Sequence, residues 1–492
     1  MRRLRIDGAT VFSPELLIAN SGFVAGETYT LQALQGLASR MERYYRDHGY
    51  LVAQAYLPGQ DVSAGEVTIA ISIAEGRYGQ VLVRNQSHVS PGLLSDMLQG
   101  IQTGSLVQAD ALDTQVLLLS DLPGVQVKSA LVPGATFGTS DLLVDVLPTR
   151  RVTGSVDADN AGNYYTGAVR LGASLFLNEP SGEGDLASVR LQTSGEGLNY
   201  MRAAYQIQLG QARVGAAFSA MEYTLGREFD SLLANGTART MGVFGSYSLV
   251  RSRNANVLLS AGFDSKRFED RLDSVASATE KSVHVASAGL WGDAHEQWLA
   301  GGISALNLTL SVGGLNIHTA AAREFDAATA HTHGGYAKLS YSASQLQHLT
   351  PSVQLSATLN GQWVSKNLDA SEKMELGGMG AVRAYPEGEA YGDEATVLAL
   401  EARWLLPPRA QPATGTVQVF GFVDAGRVSL NKSPWTAEPN QRHLSGAGLG
   451  LNWSIANTFV LRIVYAHKLG DEAARAAPDA NDRLWLQATR YF

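Results

Sequence analysis

Val417-Gln418-Val419-Phe420-Gly421-Phe422-Val423-Asp424-Ala425-Gly426 reads as one strand with two unlike faces. Successive side chains of a strand point to opposite sides. Val417, Val419, Val423 and Ala425 therefore share one face, and Gln418, Phe420, Phe422 and Asp424 share the other. An apolar face toward lipid and a polar face toward water is the alternation of a transmembrane barrel strand. Asp424 belongs inside, because a carboxylate facing mid-bilayer hydrocarbon is costly. An enclosed carboxylate wants a cation, and arginine offers a planar fork of donors.

The same alternation recurs outward along the chain. Between 164 and 177, Tyr165, Val169, Leu171, Leu175 and Leu177 share a face against Thr166, Arg170 and Ser174. Phe459, Leu461, Ile463 and Tyr465 alternate with Arg462. Leu484, Leu486 and Ala488 alternate with Trp485, Gln487 and Thr489. From residue 151 onward about sixteen such segments follow one another, which makes the region 149–492 an all-β membrane domain. Their connections support closure. Short turns are expected at 251–254, 294–297, 456–457 and the Pro407-Pro408 segment. Longer loops fall at 225–236, 314–333, 366–394, 427–442 and 469–481. Long and short ends that alternate, with an even strand count, describe a membrane barrel whose two termini lie on one side. A soluble sandwich would leave that alternation unexplained.

The bulk numbers agree. Among 492 residues, 17% are charged and 45% hydrophobic, so disorder is excluded. Mean hydropathy is near zero and no long uncharged apolar run exists, so no transmembrane helix is expected; a barrel signal averages away in such a measure. Zero cysteines remove a disulfide framework, a thiolate nucleophile and thiolate-bound metal. A net charge of −8 argues against nucleic acid as partner. Met1-Arg2-Arg3 runs straight into a strand with no signal peptide, so the numbering is expected to begin after a removed signal or in a trimmed chain.

The first 148 residues are different. A strand at 3–7 is followed by a helix starting at Ser13-Pro14, with proline at an early helical position. An amphipathic helix at 30–48 carries Leu31, Leu34, Leu37, Met41, Tyr44 and Tyr45 at helical spacing and ends at Gly49. Strands at 51–57 and 66–74 complete the unit, and Tyr44, Tyr45 and Tyr56 are expected in its core. The second unit repeats the order: a strand at 81–83, a helix from Ser90-Pro91, a helix at 109–122, and strands at 125–132 and 141–147. Strand-helix-helix-strand-strand, twice, is the plan of the POTRA domain, with POTRA 1 at 1–76 and POTRA 2 at 77–148.

Several stretches then resemble one known family, the two-partner secretion transporters that export haemolysins and filamentous haemagglutinin. Gly49-Tyr50 followed by Ala55-Tyr56-Leu57-Pro58-Gly59-Gln60-Asp61 resembles the family's first POTRA signature, and Ala74-Glu75-Gly76 its closure. Leu122-Pro123-Gly124, Val132-Pro133-Gly134 and Gly138-Thr139-Ser140-Asp141-Leu142 resemble the second. Residues 157–167 resemble the start of the barrel. Val382-Arg383-Ala384-Tyr385, in the long loop before barrel strand twelve, resembles the V-R-G-Y/F motif of the sixth extracellular loop. Phe422-Val423-Asp424-Ala425-Gly426, on strand thirteen, resembles F-x-D-x-G.

The resemblance implies a fold: α+β periplasmic domains, two tandem POTRA repeats, then a 16-stranded antiparallel transmembrane barrel. It also implies that loop six folds back into the lumen and that Arg383 meets Asp424, with Glu401 and Arg403 of strand twelve as candidate members of the same network. The family has glycine where this chain has Ala384, a substitution that would be strained at positive φ. It also has an N-terminal plug helix and linker that find no counterpart here, and the closing Arg490-Tyr491-Phe492 matches its terminal aromatic pattern in part. The function implied is export: POTRA domains capture an unfolded exoprotein, which passes through the barrel without nucleotide hydrolysis, to the cell surface or the medium. Expected partners are a secreted exoprotein (an adhesin, a cytolysin or a contact-dependent toxin), outer-membrane lipid, and the barrel-assembly machinery with periplasmic chaperones during biogenesis. A barrel-assembly insertase is the alternative, although such proteins carry more POTRA domains; a diffusion porin would have none. No cofactor, metal or catalytic site is expected. His331-Thr332-His333 offers two imidazoles and no third ligand. The glycine-rich run 446–450 lies inside a strand pattern with no helix after it to hold a phosphate. No nucleophile and base are paired.

Overall fold

A computed structural model describes residues 1–60, 67–195, 197–407 and 415–492. Asp61, Glu66 and Pro408, which figured in the expected motif, strand and turn, lie outside the described residues. The chain divides into two compact units, one made chiefly of residues 1–149 and the other of the remainder.

The first unit contains two small α+β modules. In the first, strands β1 (Arg3–Asp7), β2 (Gln54–Tyr56) and β3 (Thr68–Ala74) form a sheet in the order β1-β3-β2, with β1 parallel to β3. Helices α1 (Pro14–Ser21) and α2 (Leu31–Asp47) cover one face. Both begin as the sequence dictates: the Ser13 and Thr30 side chains accept the amides of Leu16 and Ala33. Gly49 takes φ +88° just past α2. The apolar stripe of α2, Leu37, Met41 and Tyr45, packs on Ile69, Ile71 and Ile73. The expected strand at 51–57 contracts to three residues because the amides of Tyr50 and Ala53 turn back to the carbonyls of Tyr45 and Tyr50. Tyr45 is fully buried and Tyr44 half-buried, as expected of core residues. Tyr56 is not core: it stands 39% exposed on the edge strand β2, edge-on to Phe137.

The second module repeats the design with β4 (Arg77–Asn85), α3 (Pro91–Met97), α4 (Ala109–Ser120), β5 (Val125–Pro133) and β6 (Thr139–Pro148), ordered β4-β6-β5. Leu93, Leu94, Met97, Leu118 and Leu119 pack on Leu142, Val144 and Val146. Strand β4 starts earlier than expected, at Arg77, across an irregularity between Tyr78 and Val81. Inside it the Gln80 amide donates to the Asp141 carboxylate at 2.7 Å.

The second unit is a closed antiparallel barrel of sixteen strands. They are β7 (Val152–Asp159), β8 (Arg170–Asn178), β9 (Leu186–Thr193), β10 (Leu198–Leu209), β11 (Ala212–Thr224), β12 (Ala234–Arg251), β13 (Ala255–Leu272) and β14 (Ser277–Glu296). There follow β15 (Gly302–Ile317), β16 (Gly334–His348), β17 (Val353–Val364), β18 (Glu394–Leu405), β19 (Thr416–Ser429), β20 (Gln441–Ile455), β21 (Phe459–Lys468) and β22 (Asp482–Tyr491). No helix among the described residues is long and apolar enough to cross a membrane.

Outward positions such as Met241, Val243, Val312 and Leu449 are exposed and apolar, while inward positions mix polar and small side chains with buried rings such as those of Phe420, Phe422 and Trp485. Connections at one rim are long, including 160–169, 225–233, 318–333 with helix α5 (Ala320–Ala328), 365–393, 430–440 and 469–481. Two at that rim are short, 194–197 and 273–276; the second joins the long strands β13 and β14.

Strand β8 begins at Arg170 rather than near Tyr164. The Tyr165 amide is taken by the Asn163 side chain at 2.9 Å, and the Tyr165 ring packs on Phe229, so residues 164–169 belong to the loop. The ladder that closes the barrel is short: β22 and β7 share only the pairs from Gln487↔Asp159 to Tyr491↔Ser155.

Candidate functional site

Strand β19 places Phe420, Phe422 and Asp424 inward; all three are buried, while Val423 faces out. Loop six, between β17 and β18, folds back against this wall. Its backbone tightens into a turn in which Tyr385 N donates to Val382 O at 3.1 Å and Val382 N to Leu376 O at 3.0 Å. The turn presents Arg383, only 3% exposed, to Asp424, which is fully enclosed.

Arg383 is held by every guanidinium nitrogen. Nε donates to Asp424 Oδ2 at 2.8 Å and Nη2 to Asp424 Oδ1 at 2.7 Å, a two-pronged pairing. Nη1 donates to Glu401 Oε1 on β18 at 2.5 Å. The Arg383 backbone amide adds a bond to Asp424 Oδ2 at 3.1 Å. The guanidinium lies 3.5 Å from the centroid of the Phe422 ring, so the phenylalanine that precedes the aspartate in the motif forms the floor of the site. Glu401 does both things the sequence left open: it joins Arg383, and its Oε2 accepts Arg403 Nε at 2.8 Å. Two carboxylates, Asp424 and Glu401, thus face Arg383 and Arg403, with Arg462 Nη2 3.9 Å from Glu401. Burying these charges is tolerable only because each meets an opposite charge with good geometry.

The remaining motif residues shape the seat. Val382 and Tyr385 are fully buried. The Tyr385 hydroxyl donates to the Glu472 carbonyl at 3.0 Å. A side chain at Gly426 would meet Leu376 at 2.7 Å and Val382 at 3.0 Å, so the motif's glycine is what admits the loop. The backbone at Ala384 stays out of the left-handed region, and the strain that alanine would suffer there does not arise. Its methyl instead fills the gap over Gly446, where a Cβ would lie 2.5 Å from the Ala384 Cβ.

Some members of the site were not read from the sequence as such. Trp485 on β22 donates its indole N–H to the Arg383 carbonyl at 2.7 Å. Arg442 on β20 pairs with the fully buried Glu389 of loop six and with Glu472 at 2.7 Å. Glu389 Oε2 accepts the amides of Arg475 and Ala476 at 2.8 and 2.9 Å, which ties loop six to the last long loop. The glycine run on β20 was visible, but not its purpose: Gly450 and Gly448 leave room for the rings of Phe420 and Phe422, and Gly446 for Ala384. At 331–333 the Asp326 carboxylate of α5 accepts the amides of Thr332 and His333 at 2.8 and 2.9 Å, closing a capped turn.

A sixteen-stranded barrel with a buried, ion-paired loop in its lumen, together with two POTRA-type modules, defines an outer-membrane pore of the protein-moving class. Residues 138–453 match the family described as haemolysin secretion/activation protein ShlB/FhaC/HecB, and residues 1–74 match the ShlB-type POTRA domain. The chain belongs to that haemolysin secretion/activation family. The heme/hemopexin transporter protein HuxB of Haemophilus influenzae is 26% identical over 475 residues, covering 95% of this chain and 82% of that protein. The solved structure of CdiB from Escherichia coli superposes with a TM-score of 0.79 at 21% identity, covering 100% of this chain and 90% of that one. BamA from Haemophilus ducreyi, solved without POTRA domains 1–3, shares the fold at a TM-score of 0.56 and 13% identity. The chain is accordingly a two-partner secretion pore of the bacterial outer membrane, with its POTRA domains in the periplasm, that exports an unfolded exoprotein. The family match favours export over the assembly of other barrels.

Proposed function

We propose that loop six, fixed by Arg383 on Asp424 and Glu401, sets the inner shape of the pore, and that the client threads past it. Val382, Arg383, Ala384 and Tyr385 supply the loop side of this lock, and Phe422, Asp424 and Gly426 the wall side. Glu401 and Arg403 extend it along β18. The observation that carries this reading is the enclosure of Arg383, with each guanidinium nitrogen committed to a carboxylate of the barrel wall.

The working boundaries are 1–76 for POTRA 1, 77–148 for POTRA 2 and 149–492 for the barrel. The client is a large exoprotein of the adhesin, cytolysin or contact-dependent toxin kind. It would add a strand to a free POTRA sheet edge by main-chain hydrogen bonds, the sequence-tolerant recognition that an unfolded chain requires. No chemistry is needed at the pore: folding outside the cell makes passage directional, without nucleotide hydrolysis. Lipid around the outward apolar face, and chaperones with the barrel-assembly machinery during insertion, complete the set of partners.

The experiment is secretion. The chain, given a signal peptide, is co-expressed with the secretion domain of its exoprotein, and the medium is assayed with surface barrel measured in parallel. Export by the parent chain and its loss in a folded Arg383→Ala variant is the expected result. Undiminished export by that variant removes Arg383 from the mechanism; no export by a folded parent chain overturns the transport reading.

A further inference from the structure

Loop six carries a second set of charges between β17 and the Arg383 turn. Glu372, 4% exposed, accepts Lys266 Nζ of β13 at 2.6 Å and Lys338 Nζ of β16 at 2.9 Å. Lys338 Nζ also donates to the Glu372 carbonyl at 3.2 Å. Asp369 accepts Lys281 Nζ of β14 at 3.1 Å, and that ammonium lies 3.4 Å from Asp270. Three lysines from three different strands thus converge on two carboxylates one helical turn apart in the loop. The same stretch is stitched to β17, where Gln362 Nε2 donates to the carbonyls of Glu372 and Asp393 at 3.2 and 3.1 Å.

Two physical contrasts separate this cluster from the Arg383 site. The first is place: β13, β14 and β16 are different strands from β18, β19, β20 and β22, which grip the Arg383 turn. The second is chemistry. A guanidinium bound on two prongs keeps one geometry. An ammonium on a four-carbon stem is a compact, flexible point charge without a fixed direction of approach, and the side chains of Lys266, Lys281 and Lys338 keep 22%, 14% and 15% of their surface exposed, so each can pass to water as the loop leaves. Gly377-Gly378 lies between the two fastenings, Gly378 in the left-handed region at φ +107°, and the amides of both donate to the carbonyls of Glu389 and Tyr385 at 3.1 Å, so they belong with the Arg383 turn and the limb before them is the part free to move.

We propose that Lys266, Lys281 and Lys338 with Asp369 and Glu372 form a releasable latch, and that its opening, with Arg383 still engaged, swings the leading limb of loop six off the β13–β16 wall to admit the client. This rests on the reading of loop six as the element that shapes the pore. The five residues are positioning residues: they set where the loop lies and need not touch the client.

The test is single-channel conductance of the full chain in planar lipid bilayers. Gel mobility before and after heating certifies a folded barrel. The variants are Asp369→Asn/Glu372→Gln, Lys338→Glu alone, Lys338→Glu/Glu372→Lys, and Arg383→Ala as a comparison. Removing the carboxylates should raise the time spent in a high-conductance state by about tenfold. Lys338→Glu should do the same while leaving the heated-gel transition unchanged, which a purely structural role would not allow; the reversed pair should restore the parent behaviour in part, because Lys266 then loses its own carboxylate. A high-conductance response to Arg383→Ala with none to the latch variants overturns the latch and leaves the lock standing. No response to either overturns the reading of loop six on which the latch depends. Should the neutralised chain fail to fold, Lys338→Cys/Glu372→Cys bridged by a short bismaleimide serves in its place. Bridging should stop export, and export that continues through the bridged chain overturns the proposal.

Discussion

Asp424 shows how far a single residue can be read. Strand alternation alone turns it inward and demands a cation for it. Nothing local says which cation, because Arg383 lies 41 residues away in a loop without periodicity, and only the paired motifs connect them. The Trp485 bond to the Arg383 carbonyl spans 102 residues and carries no motif at all. Energetically the lock is asymmetric. Arg383→Ala strands the buried carboxylate of Asp424, while Glu401 keeps Arg403, and should cost about 3–5 kcal/mol, seen as a lower temperature for loss of the compact band on heated gels. Arg383→Ala/Asp424→Ala should recover part of that loss, because the orphaned charge goes with its partner.

Glu75 makes a comparable case in the first POTRA module. Burial pushes its carboxyl upward, but hydrogen bonds from the Thr10 hydroxyl, the Val11 and Thr10 amides and the Tyr45 hydroxyl outweigh burial, and its pKa falls below the ordinary 4.5. The folded value is the lower one, so the stabilisation is complete above about pH 4.5 and drains away as pH drops through the folded value. Glu75→Gln should lower the stability of this module by about 1–3 kcal/mol near neutrality and flatten its acid dependence, followed by limited proteolysis across a pH series.

At the scale of elements, helix caps and amphipathic periods were legible because they are local. Ser13-Pro14, Thr30 and Gly49 mark helix ends where the structure has them. Strand ends were less legible where side chains or turns divert the backbone amides, as Asn163 does before β8 and residues 50–53 do before β2. The row Gly446, Gly448 and Gly450 was recognisable as part of a strand. Its role was not, since absence of a side chain acquires meaning only beside the rings and methyl that use the space. Gly446→Ala should push on Ala384 and cost about 1–3 kcal/mol of barrel stability. Adding Ala384→Gly should return most of it, because the displaced methyl is then gone; thermal scans of the two variants decide the point.

For the molecule as a whole, strand count, the alternation of long and short connections and the twofold α+β repeat were all present in the sequence, because each is a repetition. Closure was implied by the even count, but the weakness of one seam was not. The β7–β22 ladder has five pairs, against eight in β7–β8 and nine in β21–β22 on either side of it. An insertase that opened sideways would need that seam, whereas a pore that passes its client along the lumen would not. The chain has no cysteine of its own. Ala158→Cys/Ala488→Cys, at facing positions on the lipid side, should therefore give one defined crosslink. Export through the sealed barrel should match that after reduction, and a block relieved by reductant would shift the mechanism toward lateral opening.

The grip on Arg383 has a consequence for how the molecule is made. Its carboxylates come from β18 and β19, the space for its neighbour's methyl from β20, and the indole that caps it from β22. A half-built cylinder offers the carboxylates of β18 and β19 but not the space on β20 or the indole of β22, so the seat is complete only once the last strands are in place. Closing the wall therefore also finishes the seat of the loop.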